Sequence, residues 1–373
     1  MNYLNDTVTF LMVGLISMSC SSSDKIQRDV TKSVSVRTIE INKDSVTKVT
    51  TNWPARPKLA IQEMMAKYGK PSEISAQTVV WHNAGFFKRI TVTKMEIPHD
   101  FPKPHMDFLE HTVFYNVPTD KIDDLIAFDT SITINKTAGE MSARCDLERH
   151  NILALNLARD IIEGRRNVTD ARQMFGQYMV EGIQGKNPTY LAHLNFQPQA
   201  MEEAVFLDRP TIPGSPMRVN PGIDEMGTDS EVMAFVIATD ENEVLAAAEA
   251  QKKDISPPVM DYAKMLQFEH GKNAALTMKL SQKISMRPKE TKAVDNVRIN
   301  GAQKLATLVA LDGKKFEKAY LNAMVAGHKE LLIMIDQQLM KDAENESLKM
   351  HLNETRKHVV SHLLRAQNLQ KII

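Results

Sequence analysis

The chain has 373 residues, 43% of them hydrophobic and 25% charged, with 46 basic and 46 acidic side chains. That composition excludes a disordered, collagen-like or rod-like chain, and the zero formal charge lacks the basic surplus of nucleic-acid binders, so no nucleic-acid partner is expected. Two cysteines cannot build a disulfide framework and no apolar run reaches the length of a membrane span, while 22 methionines beside few aromatics favour helical cores filled by flexible side chains.

In chain order, the first element is an apolar stretch, VTFLMVGLISM at residues 8–18, followed by Ser19, Cys20 and three more serines. A short apolar segment ending at small residues is the pattern of a secretory signal. Cys20 directly after a small residue resembles the bacterial lipoprotein signal, in which the thiol is acylated and cleavage leaves Cys at the mature N-terminus. The leading MNYLNDT carries no Lys or Arg, and Ser17 stands where Leu is usual, so a plain secretory signal also fits. The expectation is a signal over residues 1–20, lipidation at Cys20, attachment to a membrane through that anchor, and a place in the periplasm or at the outer membrane. Cys145 would then be the one thiol left.

Residues 21–52 read as a Ser/Thr/Lys-rich tether whose Val34, Val36, Ile39 and Ile41 could add an edge strand. Residues 53–196 read as an α+β domain. Leu59, Ile61, Met64, Met65 and Tyr68 have helical spacing, stopped by Gly69-Lys70-Pro71. A hairpin is predicted from Thr78 to Met95, a strand from Phe108 to Val117, a short helix from Asp120 to Phe128 and a strand from Ser131 to Lys136. Helices are predicted from Asp146 to Glu163 and from Thr169 to Gly182. Residues 197–228, with five prolines and three glycines, read as a linker in which few elements survive.

From residue 229 to 373 the pattern is all helical. Thr228-x-x-Glu231 is a capping box opening a first helix to about residue 252. Ser256-Pro257-Pro258 opens a second, running to about Ile284. A short helix from Ala302 to Val309 follows, then long helices at about 314–340 and 344–369. Four long helices on short connections make an antiparallel four-helix bundle, so the fold class is an α+β domain followed by an all-α bundle.

Each long helix places one ionisable residue on its apolar face: Glu243, His270, His328 and His362. Buried charges need partners or ligands, and one carboxylate with three imidazoles suits a divalent first-row transition metal. A Glu–His hydrogen-bond network is the other reading of the same four residues. The dinuclear carboxylate pattern requires Glu-x-x-His on two helices and is absent, because Gln267, Val325 and Val359 stand three residues before the histidines.

These helices carry a resemblance. Asn242-Glu243-Val244, Phe268-Glu269-His270-Gly271-Lys272-Asn273, Phe316-Glu317-Lys318-Ala319-Tyr320, Met324-Val325-Ala326-Gly327-His328 and Ser361-His362-Leu363-Leu364-Arg365-Ala366 are similar to the bacterial ferritin-like family DUF4142. The resemblance spans residues 229–371 and implies a ferritin-like bundle, secreted or periplasmic, of unestablished activity. In that family an acidic residue commonly precedes the histidines of the second and third helices. Glu269 keeps this and Gly327 does not.

In the α+β part, His99, His105 and His111 are spaced six apart around a Pro-containing stretch, a weak metal signal beside a proline-ordered loop leading into a strand. Arg144-Cys145-Asp146 and Glu148-Arg149-His150 cluster at a helix start. Cys145 with His150 could form a nucleophile and base, although a buried structural Cys fits the same spacing. Two functions remain open at this level. One is a non-catalytic envelope protein whose bundle binds a partner or a metal. The other is a metal-storage protein or metal-dependent enzyme built on Glu243, His270, His328 and His362.

Overall fold

The computed structural model describes residues 43–206, 208–218 and 228–373. Cys20, the apolar stretch before it and the tether's strand candidates lie outside the described residues. The chain divides into two compact units. Residues up to Phe114, Pro118–Thr133 and Met141–Pro198 form one, and Tyr115–Val117, Ile134–Glu140 and residues from Gln199 onward form the other. Among the described residues no helix is long and apolar enough to cross a membrane.

The first unit is α+β. Its helices are α1 (Lys43–Val49), α2 (Ala55–Tyr68), α3 (Ile122–Phe128), α4 (Glu148–Ile162), α5 (Val168–Ile183) and α6 (Thr189–Ala192). The strands β1 (Glu73–Ile74), β2 (Thr78–Ala84), β3 (Phe87–His99), β4 (His105–Phe114), β5 (Thr133–Asn135) and β6 (Glu140–Cys145) form one sheet in the order β1-β2-β3-β4-β6-β5, although Ile134 and Asn135 of β5 and Glu140 of β6 are grouped with the second unit. α2 buries Pro57, Ala60, Ile61 and Met64, the inward stripe its apolar spacing requires. α4 is buried nearly all round and packs against β4 and α5, making it the central helix.

Several expectations shift. The hairpin's second strand runs on to His99, and the next strand starts at His105 rather than Phe108, so the Pro-containing stretch is a hairpin connection between paired strands. Strand β6 went unpredicted because Glu140–Cys145 holds no β-branched residue and shows no alternation; five of its six residues are buried.

The second unit is helical. Its long helices are α8 (Thr228–Ala250), α9 (Pro257–Lys283), α10 (Lys292–Val309), α11 (Gly313–Met334) and α13 (Glu346–Gln370). α11 passes through a π-helical turn at Ile335–Leu339 into the short α12 (Met340–Asp342) before α13 begins. α8 packs on α9 and α10, α11 on α13, and α13 on α9. The predicted short helix at 302–309 is the last part of α10, whose polar first half hid its length. Its start is capped by Thr291, which accepts from the Val294 amide. Ser256 precedes α9 as expected but makes no side-chain capping bond; its backbone N–H donates to Glu317. Glu231 accepts from Thr291 Oγ1 at 2.8 Å, joining α8 to the start of α10.

The Pro/Gly-rich stretch retains short elements, α7 (Met201–Ala204) and β7 (Met217–Arg218), the latter pairing in parallel with β8 (Lys289–Glu290). Gly214 lies so close to α9 that a Cβ there would meet the Met278 carbonyl oxygen at 2.1 Å, and Ser281 Oγ donates to its carbonyl at 3.3 Å. The segment around Gly214 therefore lies against α9, while Phe206, just after α7, donates its backbone N–H to the Lys136 carbonyl.

Candidate functional site

The apolar faces of α9, α11 and α13 bring His270, His328 and His362 together. All three are at most 3% exposed. Their ring centroids are 4.9–5.6 Å apart, and one ring nitrogen of each lies within 4.8 Å of the others. Leu266, Met324 and Val359, one helical turn from His270, His328 and His362 on the same helices, are buried as well, so the histidines face little water.

Each ring is held on one side. His270 Nδ1 is 2.8 Å from Asp240 Oδ1, His328 Nδ1 is 2.7 Å from the Met324 carbonyl, and His362 Nε2 is 2.7 Å from Glu269 Oε2. The Met324 carbonyl and the ionised Glu269 carboxylate can only accept, so His328 Nδ1 and His362 Nε2 carry the ring protons, and His270 Nδ1 does so when Asp240 is ionised. The opposite nitrogens, His270 Nε2, His328 Nε2 and His362 Nδ1, are buried without a hydrogen-bond partner. Burial pushes His270 down to about 4, and burial together with the neighbouring His270 pushes His362 down to about 4. At neutral pH both rings are uncharged, with lone pairs available.

Glu243 on α8 stands beside this set. Its Oε2 is buried without a partner, and Oε1 lies 3.5 Å from where a Cβ on Gly327 would sit. Its charge acts on His270, Tyr262 and Tyr320, though its oxygens fall outside the 4.8 Å cluster of histidine nitrogens. Gly327, which departs from the acidic pattern of the resembling family, leaves the space that the Glu243 carboxylate occupies. Tyr320 OH is a further buried, unpartnered polar atom.

Sequence reasoning missed Asp240. It is 2% exposed, binds His270, and accepts from Asn273 Nδ2 at 2.8 Å through Oδ2. Burial pushes its carboxyl well up. Its spacing of three from Glu243 placed it on the inward side of α8, and that was the available signal. Glu269, read only as a family feature, is the residue that orients His362.

In the α+β unit, His99 and His105 meet, and His111 does not join them. His105 and His111 share a face of β4, as the even spacing requires, but six residues of strand span roughly 20 Å. His111 is fully buried, 3.4 Å from Glu148 Oε1. Cys145 is a buried free cysteine. Its Sγ is 3.2 Å from His105 Nε2 and also lies within 4.8 Å of a ring nitrogen of His150, which is itself bound to Asp146 at 2.7 Å, so Cys145 stands between two histidines.

No curated protein matches the chain. The crystal structure of a DUF305 fragment from Deinococcus radiodurans is similar over 40% of this chain and 100% of its own, at 13% identity and a TM-score of 0.36. No family model matches the N-terminal half. Residues 218–369, the C-terminal part that holds the three histidines, match the family described as Domain of unknown function (DUF4142).

Proposed function

We propose that the helical unit is a ferritin-like four-helix bundle of α8, α9, α11 and α13 that binds one divalent first-row transition ion through His270, His328 and His362. Glu243 supplies the fourth ligand by a small side-chain adjustment, and the protein is an exported envelope protein anchored through Cys20. The observation that carries the metal reading is the set of three buried imidazoles, each fixed on one nitrogen and unpartnered on the other. A hydrogen-bond network would have used those nitrogens, since a buried acceptor left alone costs about 1–3 kcal/mol. A carboxylate or carbonyl behind each imidazole is also the arrangement that raises the basicity of metal-bound histidine. The absence of Glu-x-x-His favours a single ion over a dinuclear oxidase centre. The export reading is supported by the apolar stretch and Cys20 in sequence.

Elemental analysis of the purified protein, with equilibrium titration by Zn2+, Cu2+ and Co2+, tests the first part. His328→Ala is expected to remove binding at this centre, and His193→Ala, an exposed position, to leave it intact. Tight binding unaffected by loss of both His270 and His328 would refute the assignment. Fractionation of cells producing Cys20→Ser tests the anchor: the variant should leave the membrane fraction, and equal retention of both proteins would refute it.

A further inference from the structure

A second set of ligating side chains lies in the α+β unit on three neighbouring strands. His99 ends β3 and His105 opens β4, and the two are direct cross-strand partners. Direct partners place their Cβ atoms about 5 Å apart on one face. Asp107, two residues further, keeps that face. Strand β6 runs beside β4 and ends at Cys145. The contacts converge: Asp107 Oδ2 is 3.2 Å from His99 Nδ1, Asp107 Oδ1 is 3.0 Å from His105 Nε2, and Cys145 Sγ is 3.2 Å from that same Nε2. One ligand atom from each of His99, His105 and Asp107 lies within 4.8 Å of the other two.

Hydrogen bonding alone does not account for the cluster. The Lys103 carbonyl, 2.8 Å from His105 Nδ1, can only accept, so in the neutral ring Nδ1 carries the proton. Nε2 then presents its lone pair to the Asp107 carboxylate at 3.0 Å and to the Cys145 thiol, whose S–H can donate to it, at 3.2 Å. The Asp107 side chain is 6% exposed, and neither its Oδ1 nor His99 Nδ1 makes a directed hydrogen bond. The Asp107 carboxylate and the imidazole lone pair beside it repel, and a cation between them converts that repulsion into bonding.

We propose that this hairpin end is a second metal site, taking a zinc-like divalent ion on His99, His105 and Asp107, with Cys145 as the fourth ligand. Two imidazoles, a carboxylate and a thiolate are a borderline-soft set suited to tetrahedral Zn2+. Binding breaks the Cys145 S–H bond, releases that proton to solvent and forms a metal–sulfur bond, with no change of oxidation state. Asp129 Oδ1 at 3.7 Å and Thr130 Oγ1 at 3.3 Å from His99 Nε2 orient the ring from behind, and Asp146 lies 3.4 Å from Cys145 Sγ. The ion would tie the β3–β4 hairpin to β6. This site uses no residue of the helical centre and stands whether or not that centre binds metal.

Chelator-stripped full-length protein is titrated with Zn2+ and, separately, with Co2+. Relative to wild type, the chain carrying His105→Ala and Asp107→Asn is expected to lose one bound equivalent, and the His270→Ala His328→Ala chain to keep that equivalent. Co2+ should give a thiolate-to-metal charge-transfer band that survives Cys20→Ser and disappears in Cys145→Ser. Unaltered stoichiometry in the hairpin variant would overturn the site. So would the absence of a thiolate band in wild-type protein, a readout that depends on no variant folding. Apo far-ultraviolet circular dichroism matching wild type identifies variants whose fold is intact.

Discussion

Asp240 separates the cost of burying a group from its use. A carboxylate inside a helical core is destabilising unless a cation or several donors compensate it. Asp240 has Asn273 on one oxygen and His270 on the other, and its carboxyl is still pushed well up by burial. Asp240→Asn keeps an oxygen for His270 Nδ1–H but turns an amide N–H toward the Asn273 Nδ2 donor. Metal affinity should fall about 10–100-fold, as for other loss of a group behind a ligand, beyond any change in the melting temperature of the metal-free protein. A residue of purely structural importance would lower that temperature and leave the affinity alone. Glu148 shows the opposite balance. Burial favours its neutral form, but hydrogen bonds from His111, Lys67 and Tyr68 outweigh that and hold the carboxyl at about 2. Because its folded value lies below the unfolded one of about 4.5, the stabilisation is fully present above pH 4.5 and is lost as pH falls toward 2. Glu148→Gln should flatten that part of the urea midpoint against pH, and an unchanged slope would show that other carboxylates set the acid limit.

At the scale of elements, two helical glycines predict opposite outcomes for one substitution. Gly271 lies inside α9 with no neighbour nearer than 3.9 Å to an added Cβ, so Gly271→Ala should stabilise the helical unit by about 0.5–1 kcal/mol through helix propensity. Gly301 in α10 faces the Asn242 side chain, whose atoms would stand 2.2–2.4 Å from a Cβ. Asn242 is not free to turn away, since its Nδ2 donates to the Val297 carbonyl at 2.9 Å and so ties α8 to α10. Gly301→Ala should cost about 1–3 kcal/mol in urea unfolding, as overpacking does. Equal effects at the two sites would show that α8 and α10 do not meet in this way. These pairings also mark what sequence could tell. The 3.6-residue period located α8, α9, α11 and α13 and their inward His270, His328 and His362, because apolar stripes persist over many turns. The same period was weak in α10, where polar residues precede Gly301, and for Asp240 it gave the inward side of α8 but not the partner, which lies on another helix. The His99–His105 pairing was illegible for a related reason: cross-strand register depends on contacts between segments, and prolines at 102 and 104 read as loop.

For the whole molecule, the decisive property is that its two units carry different optical reporters and different proposed ions. Both tryptophans, Trp53 and Trp81, are buried in the α+β unit, while the long helices that dominate the far-ultraviolet circular dichroism belong to the helical one. Units with separate cores can unfold in separate transitions, so fluorescence and dichroism should each follow its own unit. An ion at a hundredfold excess over its dissociation constant stabilises the state that binds it by about 2.7 kcal/mol, which for units of this size raises the melting temperature by roughly 5–10 °C. With His270→Ala and His328→Ala in place, added Zn2+ should raise the fluorescence transition and leave the dichroism transition where it is. With His105→Ala and Asp107→Asn in place, the pattern should reverse. Fluorescence and dichroism transitions that move together in both variants would mean that the units unfold as one. A dichroism shift that persists without His270 and His328 would mean that the three-histidine cluster is not where the helical unit meets its metal.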